Sequence, residues 1–341
     1  GENVMPGADA RIVTMVASDA GSWPVGQPPV AIGALSDDRL HALAGTMGEH
    51  PPMVPLVVKM ETESPRHGAD AKTELRYRVF EHETDTPLFV AIAVANTLAN
   101  RVAAEKSGGT VDVTINATLT TGDTLPYSFR AADEGQGFDM PVAFGVLGLL
   151  NAAIDQDFVK AKLAAVDVSI KARRTVDKAR IVSVDATKAL VPGEKSEVRV
   201  RMQSWQGPIV EKLVPIRVPA GVPAGQYQLV AAGQSEAARV EKDGGLVPLA
   251  TTYRTYLDSL LHAPPPGSLS IYLVADEPTL RIEGKPLPDL PASYAGLLSD
   301  GGGLSGGTVE AKAARLSRVL EEGVSAGESS AKVRVHDAEQ N

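Results

Sequence analysis

The 341-residue chain is longer than one hydrophobic core usually serves, so its length predicts two or three domains. Hydrophobic residues make up 43% of it and charged residues 22%, which excludes the disordered class. The net charge of -9, the 4% of aromatic residues and the lack of any run of Lys and Arg argue against nucleic acid as a partner. The chain has no cysteine, which excludes disulfides, thiolate metal sites and thiol nucleophiles.

The start of the chain carries no recognisable targeting signal. Gly1 is not an initiator methionine and no basic segment followed by an apolar one opens the sequence, so we expect a processing site or a fragment boundary there. The two most apolar stretches, residues 88–95 and 140–150, are too short to cross a bilayer. The sequence therefore predicts no membrane span.

The first predicted module, residues 1–175, mixes strands and helices. A strand at residues 11–17 precedes a predicted loop at residues 18–29, which holds three prolines and two glycines. Alternating or β-branched apolar residues predict further strands, and apolar residues at helical spacing predict two helices. The strands are 53–60, 74–83, 110–119, 124–130 and 166–175, and the helices are 88–105 and 141–155. This pattern predicts an α+β module.

Residues 176–242 are predicted to form a small immunoglobulin-like β-sandwich. Four short strands, at 180–185, 196–202, 209–218 and 226–232, are separated by turn signals such as the one at residues 205–208.

The last predicted module, residues 243–341, is a C-terminal α/β region. It comprises a helix at 248–261 ended by three prolines, strands at 268–274 and 332–336, a short helix ending at Leu298 and a Gly-rich loop at 301–307. Residues 308–322 fit either a helix or a strand. The whole chain is thus predicted to be α+β, multi-module and β-rich.

Five segments occur in an order that is typical of one protein family. They are residues 32–39 (IGALSDDR), 53–58 (MVPLVV), 86–88 (TPL), 218–219 (VP) and 287–291 (LPDLP). On these segments the chain resembles, from residue 5 to residue 335, the C-terminal, non-catalytic region of long bacterial proteins related to the SpoIVB-type serine peptidases. The resemblance implies a protein of the cell envelope, periplasmic or extracellular, whose partners are other envelope proteins.

The catalytic motifs of that family are absent from this sequence. The family needs a serine in a Gly-Met-Ser-Gly-Ser-Pro setting and a histidine in a Gly-His-Pro setting, and the chain reads Gly1-Glu2-Asn3 where the histidine is expected. A glutamate cannot act as the imidazole base. We therefore expect no catalytic residue, cofactor or metal ligand, and a role in protein interaction or scaffolding beside a SpoIVB-like peptidase. Two alternatives stay open: a serine peptidase whose catalytic half lies upstream, and a cation- or carbohydrate-binding module. The oligomeric state is left open.

Several polar motifs have a structural interpretation that is favoured over a functional one. Ser305 matches the nucleophile-elbow pattern, but no strand is predicted before it, which favours a loop. Alternation along a strand would point His82 away from Glu81 and Glu83, so the three cannot share one ion. The remaining acidic candidates, Asp37, Asp38 with His41, and Asp155 with Asp157, are typical of charges at helix ends.

The two tryptophans are the candidate contact surface. Trp205 lies in the predicted turn of the sandwich and Trp23 in the predicted Pro-rich loop. Loops often carry binding residues, and large aromatic side chains often dominate contacts.

Overall fold

The structure is a computed structural model that describes residues 5–9, 12–18, 21–26, 30–39, 42–63, 65, 71–102, 108–135, 137–247, 250–275, 280–282, 285–287, 313–321 and 324–336. It is β-rich and contains several separate sheets. No helix in the described part of the chain combines the length and the apolar character that crossing a membrane requires.

Five strands precede the first large sheet. They are β1 (Met5–Asp9), β2 (Ile12–Ser18), β3 (Gly21–Gly26), β4 (Val30–Arg39) and β5 (Ala42–Met47), which form an antiparallel sheet β1-β4-β5 and a hairpin β2-β3. The predicted loop at residues 18–29 is therefore wrong in part, because β3 lies inside it. Pro24 is compatible with this strand because both strands of a two-stranded hairpin are edge strands, where a missing N–H is tolerated.

A five-stranded sheet follows, with the order β7-β6-β10-β8-β9. Its elements are β6 (Met53–Thr62), β7 (Lys72–Phe80), α1 (Thr86–Arg101), β8 (Gly109–Leu119), β9 (Thr124–Asp133), α2 (Asp139–Ile154) and β10 (Leu163–Arg173). All predicted strands and both predicted helices between residues 53 and 175 are confirmed, with shifted ends. The central strand β10 runs parallel to β6 and antiparallel to β8.

One face of this sheet is buried under α1 and α2. On β8 the alternate residues Val111, Val113 and Ile115 are buried, whereas Thr114 and Asn116, on the opposite face, are exposed. The same core includes Val90 and Val94 of α1 and Val142 and Val146 of α2. Because α1 joins β7 to the parallel strand β8, and α2 joins β9 to the parallel strand β10, the two helices run in opposite directions. The result is a two-layer unit.

The residues described after β10 form two four-stranded sheets, ordered β13-β12-β11-β19 and β18-β15-β14-β20, and a hairpin β16-β17. The elements are β11 (Lys178–Ala186), β12 (Lys195–Ser204), β13 (Ile209–Arg217), β14 (Gly225–Ala232), α3 (Gln234–Asp243), α4 (Tyr253–Leu261), β15 (Ser268–Ala275), β16 (Leu280–Ile282), β17 (Lys285–Leu287), β18 (Ala313–Leu320), β19 (Val324–Ala326) and β20 (Glu328–Val335). Val200 and Val214 of one sheet share a core with Leu229 and Ile271 of the other.

Strands from both sides of residue 242 belong to one sheet. β14 pairs with β15 and with β20, so the predicted sandwich and the predicted C-terminal module share hydrogen bonds in the structure. The domain boundaries at 175 and 242 stay predictions. The ambiguous segment 308–322 contains a strand, β18. The predicted short helix ending at Leu298 and the Gly-rich loop 301–307 lie outside the described residues.

Helix α4 joins this region to the first sheet. Leu257 lies in the core under α1 and α2, and the Tyr256 hydroxyl donates to the Ala152 carbonyl oxygen at 2.6 Å. The helix was predicted from residue 248 but begins at Tyr253, because the Thr252 hydroxyl accepts a hydrogen bond from the Thr255 N–H and caps the first turn. Helix α3 was not predicted.

Candidate functional site

The turn between β12 and β13 borders an open groove of about 410 Å³. The groove is lined by Trp205 together with Glu134, Lys178, Arg180, Gln203, Ser204, Gln206, Ala326 and Gly327. Trp205 is half-buried, and its backbone N–H donates to the Lys178 carbonyl oxygen at 2.9 Å, which fixes the turn against β11. The structure thus places this predicted contact residue in a turn, as the sequence indicates, and beside a concave surface.

The charges around this groove are unequally compensated. The Lys178 ammonium lies 2.7 Å from Oε1 of Glu134, which comes from the segment after β9. Arg180 is exposed, and no carboxylate in the described part of the chain pairs with its guanidinium. Lys178 and Glu134 largely cancel, so Arg180 gives the groove a local positive charge.

The turn that carries Trp205 has an unusual backbone conformation. Gln206 has a φ of 52°, and among the described residues it is the only one other than glycine with a positive φ. The Gly207 N–H donates to the Ser204 carbonyl oxygen at 3.0 Å, which makes Gln206 the third residue of a four-residue turn. Glycine or asparagine is usual there, because other side chains are strained. Strain of this kind is often found at binding sites.

A second unusual surface is the outer face of α1 and α2. Four large apolar side chains are exposed on it: Leu88 (43%), Ile92 (47%), Met140 (54%) and Phe144 (62%). Between its ends α1 carries no charged residue from 87 to 100, and α2 carries none from 140 to 154. We call this surface the uncharged helix face. A helix in contact with water usually has charged residues on its outer side.

A buried carboxylate that the sequence did not single out lies under α3. The Glu241 side chain is 1% exposed, and its Oε1 accepts hydrogen bonds from the Tyr272 hydroxyl at 2.9 Å, from Arg315 Nη1 at 3.0 Å and from Arg318 Nη2. Burial is the main cause that raises the pKa of Tyr272. The carboxylate Oε2 has no hydrogen-bond partner among the described residues and lies 3.8 Å from His262 Nε2. Two arginines neutralise Glu241, so this cluster holds α3 on the sheet.

Two expectations about the other polar candidates are wrong. β7 ends at Phe80, so Glu81 and His82 lie after the strand and do not alternate along it, and Asp37 and Asp38 lie in β4 and not at a helix end. Glu81 pairs with the Lys162 ammonium at 2.7 Å, and His82 Nδ1 lies 3.1 Å from Asp85 Oδ2. No group of three or more His, Asp or Glu side chains within the described ranges is placed to hold a metal ion. Ser305 and His41 lie outside the described residues.

Trp23 pairs with Val16 in the β2-β3 hairpin, far along the chain from Trp205, and its role as a contact residue stays a prediction.

Comparisons with known proteins give no family for this chain. No family model matches it, and no curated protein and no solved structure matches it either. The resemblance to SpoIVB-type peptidases therefore stays a prediction.

Proposed function

We propose that this chain is a non-catalytic protein-interaction unit that binds another protein on the uncharged helix face. The observation that supports the proposal is the exposure of Leu88, Ile92, Met140 and Phe144 on two helices that carry no charge over 14 and 15 residues. The centres of protein interfaces are depleted in charge and enriched in Phe and Met. The polar side of the same sheet, with Thr114 and Asn116, shows the ordinary composition of a solvent-facing surface.

The setting of this interaction is part of the proposal. The ordered segments quoted above support an envelope location, periplasmic or extracellular, and a scaffolding role beside a SpoIVB-like peptidase. We also propose that the two four-stranded sheets pack as an immunoglobulin-like sandwich. The predicted sandwich, residues 176–242, contributes β11 to β14, and the predicted C-terminal module, residues 243–341, contributes β15, β18, β19 and β20. Their short, mostly antiparallel strands and shared apolar core support the sandwich.

Site-specific photo-crosslinking in the native cells tests the interaction surface. A benzophenone side chain at position 144 or 92 is expected to give a larger species that contains a second protein. The same group at position 116, on the polar side of the sheet, serves as the matched control and is expected to give none.

A substitution on the helix face completes the test. Phe144→Asp is expected to weaken the complex at least about 30-fold, because an interface anchor contributes about 2 kcal/mol or more and the new charge would be buried in the interface. Phe144 is 62% exposed, so the substitution should leave the unfolding midpoint nearly unchanged. Equal crosslinking from positions 144 and 116, or an unchanged complex with the variant, would overturn the proposal.

A further inference from the structure

The groove beside Trp205 has the size of a site for a compact ligand. Its volume of about 410 Å³ lies in the range of small-molecule pockets, about 300–1,000 Å³. It also lies where two parts of the fold meet, because Glu134 follows β9 of the first sheet while Lys178 and Arg180 belong to β11 of the second. Small-molecule sites occur preferentially in such places.

The lining of the groove combines three kinds of contact. The half-buried indole of Trp205 offers an apolar ring face. Gln203 and Gln206 are exposed, and each side-chain amide offers two N–H donors and a carbonyl acceptor. Amides with both functions suit a ligand that carries neighbouring hydroxyl groups, since each hydroxyl also donates and accepts. An apolar ring face with hydroxyls at its rim is the chemistry of a sugar.

Arg180 favours a ligand that carries a negative charge. Its guanidinium is exposed and has no carboxylate partner in the described part of the chain, whereas Lys178 is already paired with Glu134. Arginine binds a carboxylate through two parallel N–H donors, with more geometric specificity than a lysine provides. One free guanidinium matches one carboxylate better than a run of phosphates, which would need several cations.

The fold holds the residues that line the groove in place without a ligand. Arg180 and Gln203 are direct partners across the β11-β12 pair, so the cation and one amide lie side by side. The hydrogen bond from the Trp205 backbone N–H to the Lys178 carbonyl oxygen and the turn at Gln206 hold the backbone that carries the indole at the end of the same strands. A site held in its bound shape loses little conformational entropy on binding.

The pairing of the strands disfavours an extended peptide as the ligand. β11 pairs with β12 on one side and with β19 on the other, so it has no free edge along the groove to which a peptide strand could add. We propose that this groove binds an acidic saccharide, with a sugar ring against Trp205, hydroxyl groups at Gln203 and Gln206, and the carboxylate at Arg180. This inference does not rest on the uncharged helix face.

A fluorescence titration with two matched sugars tests the proposal. The Trp23→Phe variant leaves Trp205 as the sole tryptophan of the chain. Glucuronic acid should change its emission and saturate with a Kd of about 1 mM, an affinity typical of a small ligand with one ion pair. Glucose, which has the same ring without the carboxylate, should bind at least about tenfold more weakly.

Two substitutions complete the test. Arg180→Gln is expected to remove the preference for glucuronic acid over glucose, while Arg254→Gln, at a 75% exposed arginine on α4, should leave it unchanged. Both variants should keep the unfolding midpoint, since each changes an exposed side chain. Equal affinity for the two sugars, no saturation by glucuronic acid, an unchanged preference in Arg180→Gln, or binding of tetraglutamate in place of the sugar would each overturn the proposal.

Discussion

Replacing Glu241 by alanine should destabilise the sheet that carries α3. The substitution removes the acceptor of three hydrogen bonds, from Tyr272, Arg315 and Arg318. It also leaves two arginines without their common counter-charge. Losing one partner of a buried ion pair costs about 3–5 kcal/mol.

The exposure of the two arginines sets the expected value within that range. The Arg315 side chain is 42% exposed and can turn into water, whereas Arg318 is only 22% exposed and stays largely confined. We therefore expect the free energy of unfolding to fall by about 3 kcal/mol, at the lower end of the range. Glu241→Gln keeps an oxygen acceptor and loses only the charge, so its cost should be about half as large.

Urea unfolding followed by circular dichroism measures the effect. With an m value of about 2 kcal/mol/M, Glu241→Ala should lower the midpoint by about 1.5 M. Asp243→Asn is the matched control: the same helix loses the same charge, but Asp243 is 64% exposed and lies 3.7 Å from Arg239, so its contribution should be about 0–0.5 kcal/mol. A loss below about 1 kcal/mol for Glu241→Ala, or equal losses in the two variants, would refute the argument that the arginines depend on this carboxylate.

Three further outcomes are expected. Gly148→Ala, at an exposed site of α2 with open space for a Cβ, should raise the free energy of unfolding by about 0.5–1 kcal/mol. Gly145→Ala, whose Cβ would lie 2.6 Å from the Phe129 ring, should lower the free energy of unfolding by about 1 kcal/mol. Equal urea midpoints for these two variants would contradict the expectation. Gln206→Gly should raise it by about 0.5–1 kcal/mol by relieving the positive φ, and no rise would show that the turn is unstrained. Burial raises the pKa of Tyr272 above 10.0, so its contribution to stability is complete below pH 10.0 and is lost as the pH rises through the folded-state pKa. Tyr272→Phe should flatten the fall of the urea midpoint above that pH, and identical pH profiles would contradict the reasoning.

The local pattern of the sequence predicts the strands of the five-stranded sheet, but it does not predict the order in which they pair. The alternation of Val111, Val113 and Ile115 identifies β8 and its buried face. The position of β10 between β6 and β8 depends on pairing between residues 44 to 110 positions apart, which leaves no local signature.

For the candidate sites too, the sequence reveals residues with a local signal and misses those that depend on distant contacts. Trp205 could be found because a turn signal surrounds a large aromatic residue. Glu241 could not, because beside Lys242 and Asp243 it looks like an ordinary surface charge. Its partners Arg315 and Arg318 lie 74 and 77 residues away, in a segment that fits helix or strand equally well. Arg180 is the uncompensated cation of the groove because Lys178 pairs with Glu134, a residue 44 positions away that no local pattern indicates.

The central position of β10 has a consequence for synthesis on the ribosome. The pairs β6-β7 and β8-β9 can form as soon as each has emerged, but they cannot join into one sheet until β10, the last of the five strands, inserts between them. Until Arg173 has left the exit tunnel, the apolar faces of both pairs and of α1 and α2 lack their final partners. During that interval the nascent chain should be most dependent on chaperones and most prone to aggregate.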